Sequence, residues 1–327
     1  IGLDPFHFVY KQLTFILPSI AIMVGVSLLE PKEVLRLAAA LFGFAWICMV
    51  LTLFLGSEIK GATRWLSLGP VGFQPSEFAK PAFVVVAAWA LTANPRGMGL
   101  GGFALACVLY AMTMGVLVLQ PDFGQTALIT IAFASLLFFW GVPWAVIGAM
   151  GGALAAGAYA AYSFMPHVAS RVDRFLDPKT GDSFQIETAL AAIAQGGASG
   201  AGPGEGQLKY TIPDAHADFI FAVAGEEFGL IAGIVLIGAF AVILFRGLSR
   251  AMDERSPFVQ LAAGGLLVIF TTQAVINMAV NLNLVPAKGM TLPFVSYGGS
   301  SMLALAVTAG MVLALTRKRP GSGIRRT

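Results

Sequence analysis

Charge is what this chain has least of. Of its 327 residues only 11% are Asp, Glu, Lys or Arg, against 57% hydrophobic, and the mean hydropathy is +0.81. A water-soluble domain carries about 25% charged residues. Too little polar surface is present here to cover a soluble globule. Cysteine is nearly absent too. Cys48 and Cys107 each lie inside an apolar run with no CxxC partner or neighbouring His, which excludes a disulfide framework and a thiolate metal site. The three histidines, His7, His167 and His216, are isolated and lack metal-ligand spacing. The net charge of +3 is modest, and the basic residues gather near the ends of apolar runs. That pattern belongs to membrane topology and not to nucleic-acid binding.

Apolar runs are what the chain has in quantity. Crossing roughly 30 Å of hydrocarbon takes about 20 residues, fewer where neighbours shelter the ends. Nine runs qualify, at about 12–29, 34–56, 78–93, 101–119, 124–141, 144–164, 219–245, 258–282 and 299–316. In lipid every backbone polar group must be satisfied internally, so these are helices. The expected fold is an all-α, polytopic integral membrane protein of nine transmembrane helices, forming one domain over 1–327. Residues 165–218 form a large extracytoplasmic loop within it.

Orientation follows from short-loop Lys and Arg. One side collects eleven (Lys32, Arg36, Arg96, Arg246, Arg250, Arg255, Arg317, Lys318, Arg319, Arg325, Arg326), the other five (Lys11, Lys60, Arg64, Lys80, Lys288). The richer side is expected in the cytoplasm, with the C-terminus. Nine spans then start Ile1 outside, and a further helix is expected to precede it.

Four polar clusters fall at helix ends on the outer side. In "GATRWLSLGPVGFQPSEFAK" (61–80), Pro75 suits a first helical turn and sets Glu77 and Lys80 at i and i+3 on one face. They read either as a helix-end ion pair or as a functional pair. Arg64–Trp65 read as an interfacial anchor, or Arg64 as an anion contact. In "QPDFGQ" (120–125), Asp122 suits a tight turn. The long loop holds Arg171 and Arg174 in "RVDRFLDPKTGDSFQ", then "FQIETALAAIAQ", an amphipathic helix suited to a surface, then "QGGASGAGPGEGQ" (195–207). Such glycines either link flexibly or cradle phosphate with backbone N–H groups. The fourth, "VPAKGMTLPFVSYGGSS" (285–301), holds Lys288, Ser296 and Ser300 in backbone too irregular for lipid unless sheltered.

Asp218, in "PDAHADFIFAVAGEEFG", stands where this polar loop meets an apolar run. A carboxylate there is either a helix N-cap or a functional group. On a helical wheel Ala222, Gly225 and Gly229 lie within about 40° of it. That small-residue stripe either allows close helix packing or leaves a groove for a lipid tail.

Together, "RWLSLGPVGFQPSEFAK", "QPDFGQ", "PDAHADFIFAVAGEEFG" and "PAKGMTLPFVSYGGSS", in this order, resemble the SEDS family (shape, elongation, division and sporulation) of membrane glycosyltransferases that polymerise peptidoglycan. The likeness runs along essentially the whole chain. Lys288–Gly289 and "GEEFG" are closer to the division branch than to the elongation branch. The resemblance implies ten helices, the first missing here, with both termini cytoplasmic. It matches the family's catalytic aspartate to Asp218, its cavity acid and base to Glu77 and Lys80, and its "QPD" acid to Asp122.

It further implies lipid II and a nascent glycan strand as substrates, and a class B penicillin-binding protein (a transpeptidase) and divisome proteins as partners. The location implied is the bacterial inner membrane at the division septum. An α-linked donor and a β-1,4 product require inversion, hence one displacement and one general base, for which Asp218 is the candidate. Countercharge for the leaving pyrophosphate is expected from Arg64, Lys80, Arg171, Arg174 or Lys288, or from Mg²⁺ or Mn²⁺. Two other readings stay open: a flippase that carries lipid II across the bilayer, and a scaffold that recruits a transpeptidase.

Overall fold

The structure, a computed structural model, describes residues 7–59, 62–68, 71–94, 99–165, 168–170, 172–173, 184–286 and 289–318. Each expected span is a helix: α1 His7–Ser27, α2 Pro31–Leu55, α3 Pro75–Thr92, α4 Leu100–Leu119, α5 Phe123–Trp140, α6 Trp144–Phe164, α8 Ile220–Met252, α9 Pro257–Asn281 and α10 Gly299–Thr316. Between α6 and α8 lies α7, Phe184–Gly196. Among the described residues eight helices are long and apolar enough to cross a membrane. The ninth expected span, α3, misses that standard because Glu77, Lys80 and two prolines occupy its first turns. Its neighbours compensate. Nearly every α3 side chain is buried against α2, α4, α5, α9 and α10, so little of it has to face lipid.

Three short strands are absent from the all-α expectation. Ser57–Ile59 (β1), Ala62–Leu68 (β2) and Val71–Phe73 (β3) form an antiparallel meander in the order β1-β2-β3 between α2 and α3. The run "ATRWLSL" alternates side chains in the two-residue period of a strand, which sets Arg64 and Trp65 on opposite faces.

The glycine-rich run is neither a free linker nor an open cradle. Gly229 breaks α8 at φ 72°, ψ −167°, a region open essentially to glycine alone. The backbone groups around the break bond to residues 197–202. Ala201 N donates to Glu226 O at 2.9 Å, Gly202 N to Glu227 O at 3.0 Å, and Leu230 N to Gly197 O at 2.9 Å. Glu226, fully buried, accepts from the N–H groups of Gln207, Leu208 and Lys209 at 2.7, 2.7 and 2.9 Å. The glycine-rich segment thus pairs with the α8 backbone, and the N–H groups at and just beyond its end hold the protein's own carboxylate. Lys209 also pairs with Glu227, and although burial opposes it, that carboxylate holds its ammonium above the usual lysine range. Replacing Gly200 by Ala should destabilise the fold by about 1–3 kcal/mol. Its φ is +83°, and a Cβ would lie 2.1 Å from Glu227 O. Thermal unfolding of the purified protein checks this; an unchanged midpoint counts against the packed role.

The small stripe Ala222–Gly225–Gly229 is likewise filled. All three residues are buried, and Gly225 faces Ile193 of α7. Close packing is thus the outcome for this stripe among the described residues. The amphipathic helix α7 accordingly sets its small residues Ala189 and Ala192 against Ala222, Phe219 and Val280.

Candidate functional site

The helices alternate in direction, so the starts of α3, α5, α8 and α10 and the ends of α2, α4 and α9 share one end of the bundle. The polar clusters meet there in two connected parts.

The first part is buried. Pro75 opens α3 at its N1 position, and the following turn carries Glu77 and Lys80, whose side chains are only 6% and 5% exposed. Lys80 Nζ donates to Glu77 Oε2 at 2.9 Å and to Gln273 Oε1 of α9 at 2.8 Å. Gln125 Nε2 of α5 donates to Glu77 Oε1 at 2.6 Å. Asp122 caps α5, its Oδ1 accepting from Gln125 N at 3.3 Å. It also faces Arg64 Nη1 at 3.5 Å, while Arg64 Nη2 donates to Pro121 O at 2.6 Å. Arg64 is therefore paired with Asp122 and the turn, with its Nε left without a partner among the described residues. Burial pushes the Asp122 carboxyl above the usual carboxylate range, against the opposing pull of Arg64 and Gln125 N–H. A narrow cleft runs from Glu77, Lys80 and Gln273 between α3, α9 and α10, with Ile269, Phe270 and Leu305 on its apolar walls.

The second part surrounds Asp218. Residues 214–219 form a tight turn in which Asp214, at φ 56°, offers its carbonyl to the N–H groups of Ala217 and Asp218. The N-cap of α8 is Phe219, with no side-chain cap bond. The capping reading of Asp218 is thereby corrected. In the first turn, Ala222 N donates to Phe219 O and to Asn281 Oδ1 of α9, both at 3.0 Å. Asp218 itself is half-buried, and its main-chain carbonyl accepts from Asn277 Nδ2 and Asn281 Nδ2, both at 2.9 Å. Residues 289–298 lie over the turn: Ser296 Oγ donates to Ala217 O at 2.6 Å, and Tyr297 N donates to His216 O at 2.9 Å. Burial lowers the His216 imidazole below its ordinary range. At Gly289, φ +59°, a Cβ would sit 3.3 Å from Asp218 Oδ2, so only glycine lets the loop come this close.

Of the expected site residues, Glu77, Lys80, Asp122 and Arg64 form one cluster, and Asp218 stands in the adjoining turn. Ser296 braces that turn. Ser300 braces the meander, donating to Gly72 O at 3.0 Å and accepting from Gln74 N at 3.3 Å. Arg171, Arg174 and Lys288 lie outside the described residues. Among the described residues no three His, Cys, Asp or Glu side chains gather as a metal cage. Sequence reading passed over Gln273, Asn277 and Asn281, although three amides at i, i+4 and i+8 in an apolar span are a signal in themselves.

Fold and site define a multi-pass membrane protein that carries its buried ion pair and its half-buried aspartate at one end of the helix bundle. Residues 2–320 match the family model of FtsW, RodA and SpoVE, described as cell cycle protein, and the chain belongs to this family. A protein of Caulobacter vibrioides (strain NA1000 / CB15N) named probable peptidoglycan glycosyltransferase FtsW is 47% identical over 98% of this chain and 82% of its own length. One of the same name from Trichlorobacter lovleyi is 35% identical, over 96% of this chain and 84% of its own. A chain solved in a study of the structural coordination of polymerization and crosslinking by a peptidoglycan synthase complex superposes with TM-score 0.80 at 30% identity, covering 96% of this chain and 90% of the other. The rod shape determining protein RodA of Thermus thermophilus gives TM-score 0.72 at 27% identity, covering 97% and 89%. The chain is thus closer to FtsW than to RodA.

Proposed function

We propose that this chain is an inverting peptidoglycan glycosyltransferase that polymerises lipid II into β-1,4 glycan strands during septal wall synthesis. The acceptor sugar's 4-hydroxyl oxygen forms a bond to the anomeric carbon of the lipid-linked strand. The bond from that carbon to pyrophosphate oxygen breaks, and undecaprenyl pyrophosphate leaves with the electron pair. The hydroxyl proton passes to the Asp218 carboxylate. The observation that carries this reading is Asp218 itself. It is a half-buried carboxylate at the mouth of a membrane helix, on a turn held from below by two buried amides.

Arg64 and Lys80 already face Asp122 and Glu77, so countercharge for the pyrophosphate falls to Arg171, Arg174 and Lys288. Mg²⁺ or Mn²⁺, where used, would supply countercharge to the leaving pyrophosphate, and Asp122, whose Oδ2 is buried without a partner among the described residues, would be the carboxylate to assist it. The transport reading needs a polar path through the whole bilayer, whereas the buried charges described gather at one end of the bundle. The names of the relatives and of the synthase complex likewise support polymerisation, and a class B penicillin-binding protein and divisome proteins are the partners proposed here.

The direct test is incubation of the purified chain with fluorescent lipid II, with and without that transpeptidase. Glycan polymer in either arm is the expected result. Lipid II crossing proteoliposome membranes with no polymer in either arm overturns the reading in favour of transport.

Orientation belongs to the same proposal, with the site end outside and the C-terminus in the cytoplasm. In a background lacking Cys48 and Cys107, a cysteine replacing exposed Glu205 should react with an impermeant thiol reagent in intact cells. One replacing exposed Ser249, at the opposite end, should react only after permeabilisation. The reverse pattern inverts the topology.

A further inference from the structure

Gln273, Asn277 and Asn281 recur every four residues on α9. Successive members turn by about 40°, so all three share one face. They are 3%, 1% and 0% exposed. A buried amide is costly unless its hydrogen bonds are made, so the partners of each one are informative. Asn277 Nδ2 donates to Asp218 O at 2.9 Å and to Met290 O at 2.6 Å. Two carbonyls on one side leave the amide a single sensible orientation, nitrogen toward them. Asn281 Nδ2 donates to the same Asp218 O at 2.9 Å and to Asn277 O at 2.8 Å, and its Oδ1 takes Ala222 N. Gln273 Nε2 donates to Thr291 O at 3.1 Å and Thr291 Oγ1 at 3.2 Å, while its Oε1 accepts from Lys80 Nζ.

Three segments are therefore gripped by one rigid helix: the turn that carries Asp218, the loop 289–291 that lies against it, and the Glu77–Lys80 pair on α3. Helix capping alone does not account for this. The orphan groups at a helix start are N–H donors, and Asn281 Oδ1 accepts from an N–H of the first turn. The group that receives two amide donors is the carbonyl of residue 218, which lies before the helix and is an acceptor. Asn277 joins that carbonyl to the main chain next to Gly289, whose absent side chain leaves room for Asp218 Oδ2.

We propose that the α9 amide ladder is the positioning element of the Asp218 carboxylate. Asn277 sets the carboxylate against loop 289–291, and Gln273 ties the Glu77–Lys80 pair to the same loop. The ladder does not touch the reacting atoms. The proposal rests on Asp218 being the general base. It also gives the buried pair a role in the chemistry through Thr291, without contact with substrate.

The test is a cycle on the purified full chain with fluorescent lipid II, reading kcat and KM separately. Asn277→Leu keeps the branched shape without hydrogen bonding, and Asn277→Asp keeps the shape but loses the donors. Two variants are used so that misfolding of one does not empty the experiment, and each is compared at matched thermal midpoint. Supporting groups of this kind typically cost about 10–100-fold when removed. That fall is expected in kcat, with KM for lipid II within about threefold, because an interaction made only in the transition state is lost. In an Asp218→Asn background the same substitutions should cost less than about threefold further, since no carboxylate remains to be positioned. Equal losses in both backgrounds, or a loss confined to KM, overturn the positioning role while leaving Asp218 as base. A near wild-type rate for Asp218→Asn alone overturns both.

Discussion

Asp218→Asn is expected to lower lipid II polymerisation by about 10²–10⁴-fold, the usual consequence of losing a general base, while the protein still inserts and folds. Asn keeps the size and polarity of the side chain, and the main-chain carbonyl that Asn277 and Asn281 hold is untouched. The N-cap position belongs to Phe219, so a lost cap is not available as an explanation. Asp214→Asn is the control. Asp214 stands at φ 56°, a left-handed conformation that Asn tolerates as readily as Asp, and its loss should stay below about tenfold. Polymer formation by Asp218→Asn at near wild-type rate removes Asp218 from the chemistry. A large loss at Asp214 with none at Asp218 moves the base four residues upstream.

The second large effect is expected at the Glu77–Lys80 pair. Removing one partner of a buried ion pair leaves an uncompensated charge and costs about 3–5 kcal/mol. Glu77→Ala strands Lys80 with only Gln273 for company; Lys80→Ala strands Glu77 beside Gln125 and near Asp122. The double variant removes both charges, so its loss of stability should fall well short of the sum of the two. Thermal unfolding of all four proteins measures the coupling, and lipid II polymerisation by the same four measures its effect on activity. Strict additivity in both readouts means the two side chains do not act together. The 2.9 Å contact would then have no energetic weight.

Which features could be read from the sequence depended on how local their cause was. The spans were readable because hydropathy acts through composition over one segment, and observed helices keep to the expected limits within a few residues, except where α1 begins earlier and α8 runs on to Met252. Glu77 and Lys80 were readable as a pair because i, i+3 spacing on a helix is a local relation. The meander was not, since "ATRWLSL" is short and its strand partners had to be found. Gln273, Asn277 and Asn281 were missed because an amide gives no sign of its task until its partners are known, and these lie in the turn before α8, in its first turn and in loop 289–291.

By itself, then, the sequence determined a polytopic helical membrane protein, the end at which its polar groups collect, and Asp218 as the carboxylate at that boundary. Low charge and long apolar runs leave one way to satisfy the backbone in lipid, and charge is tolerated only near the ends or in sheltered positions. Tertiary structure alone decided which partner each described polar group meets there. It turned the glycine-rich segment into the partner of a broken helix, assigned Arg64 to Asp122, and moved the capping of α8 from Asp218 to Asn281. The reason is that a buried hydrogen bond needs a partner within about 3 Å. In this bundle those partners come from other helices, at separations of 59 residues for Asn281 and Ala222 and 193 for Lys80 and Gln273.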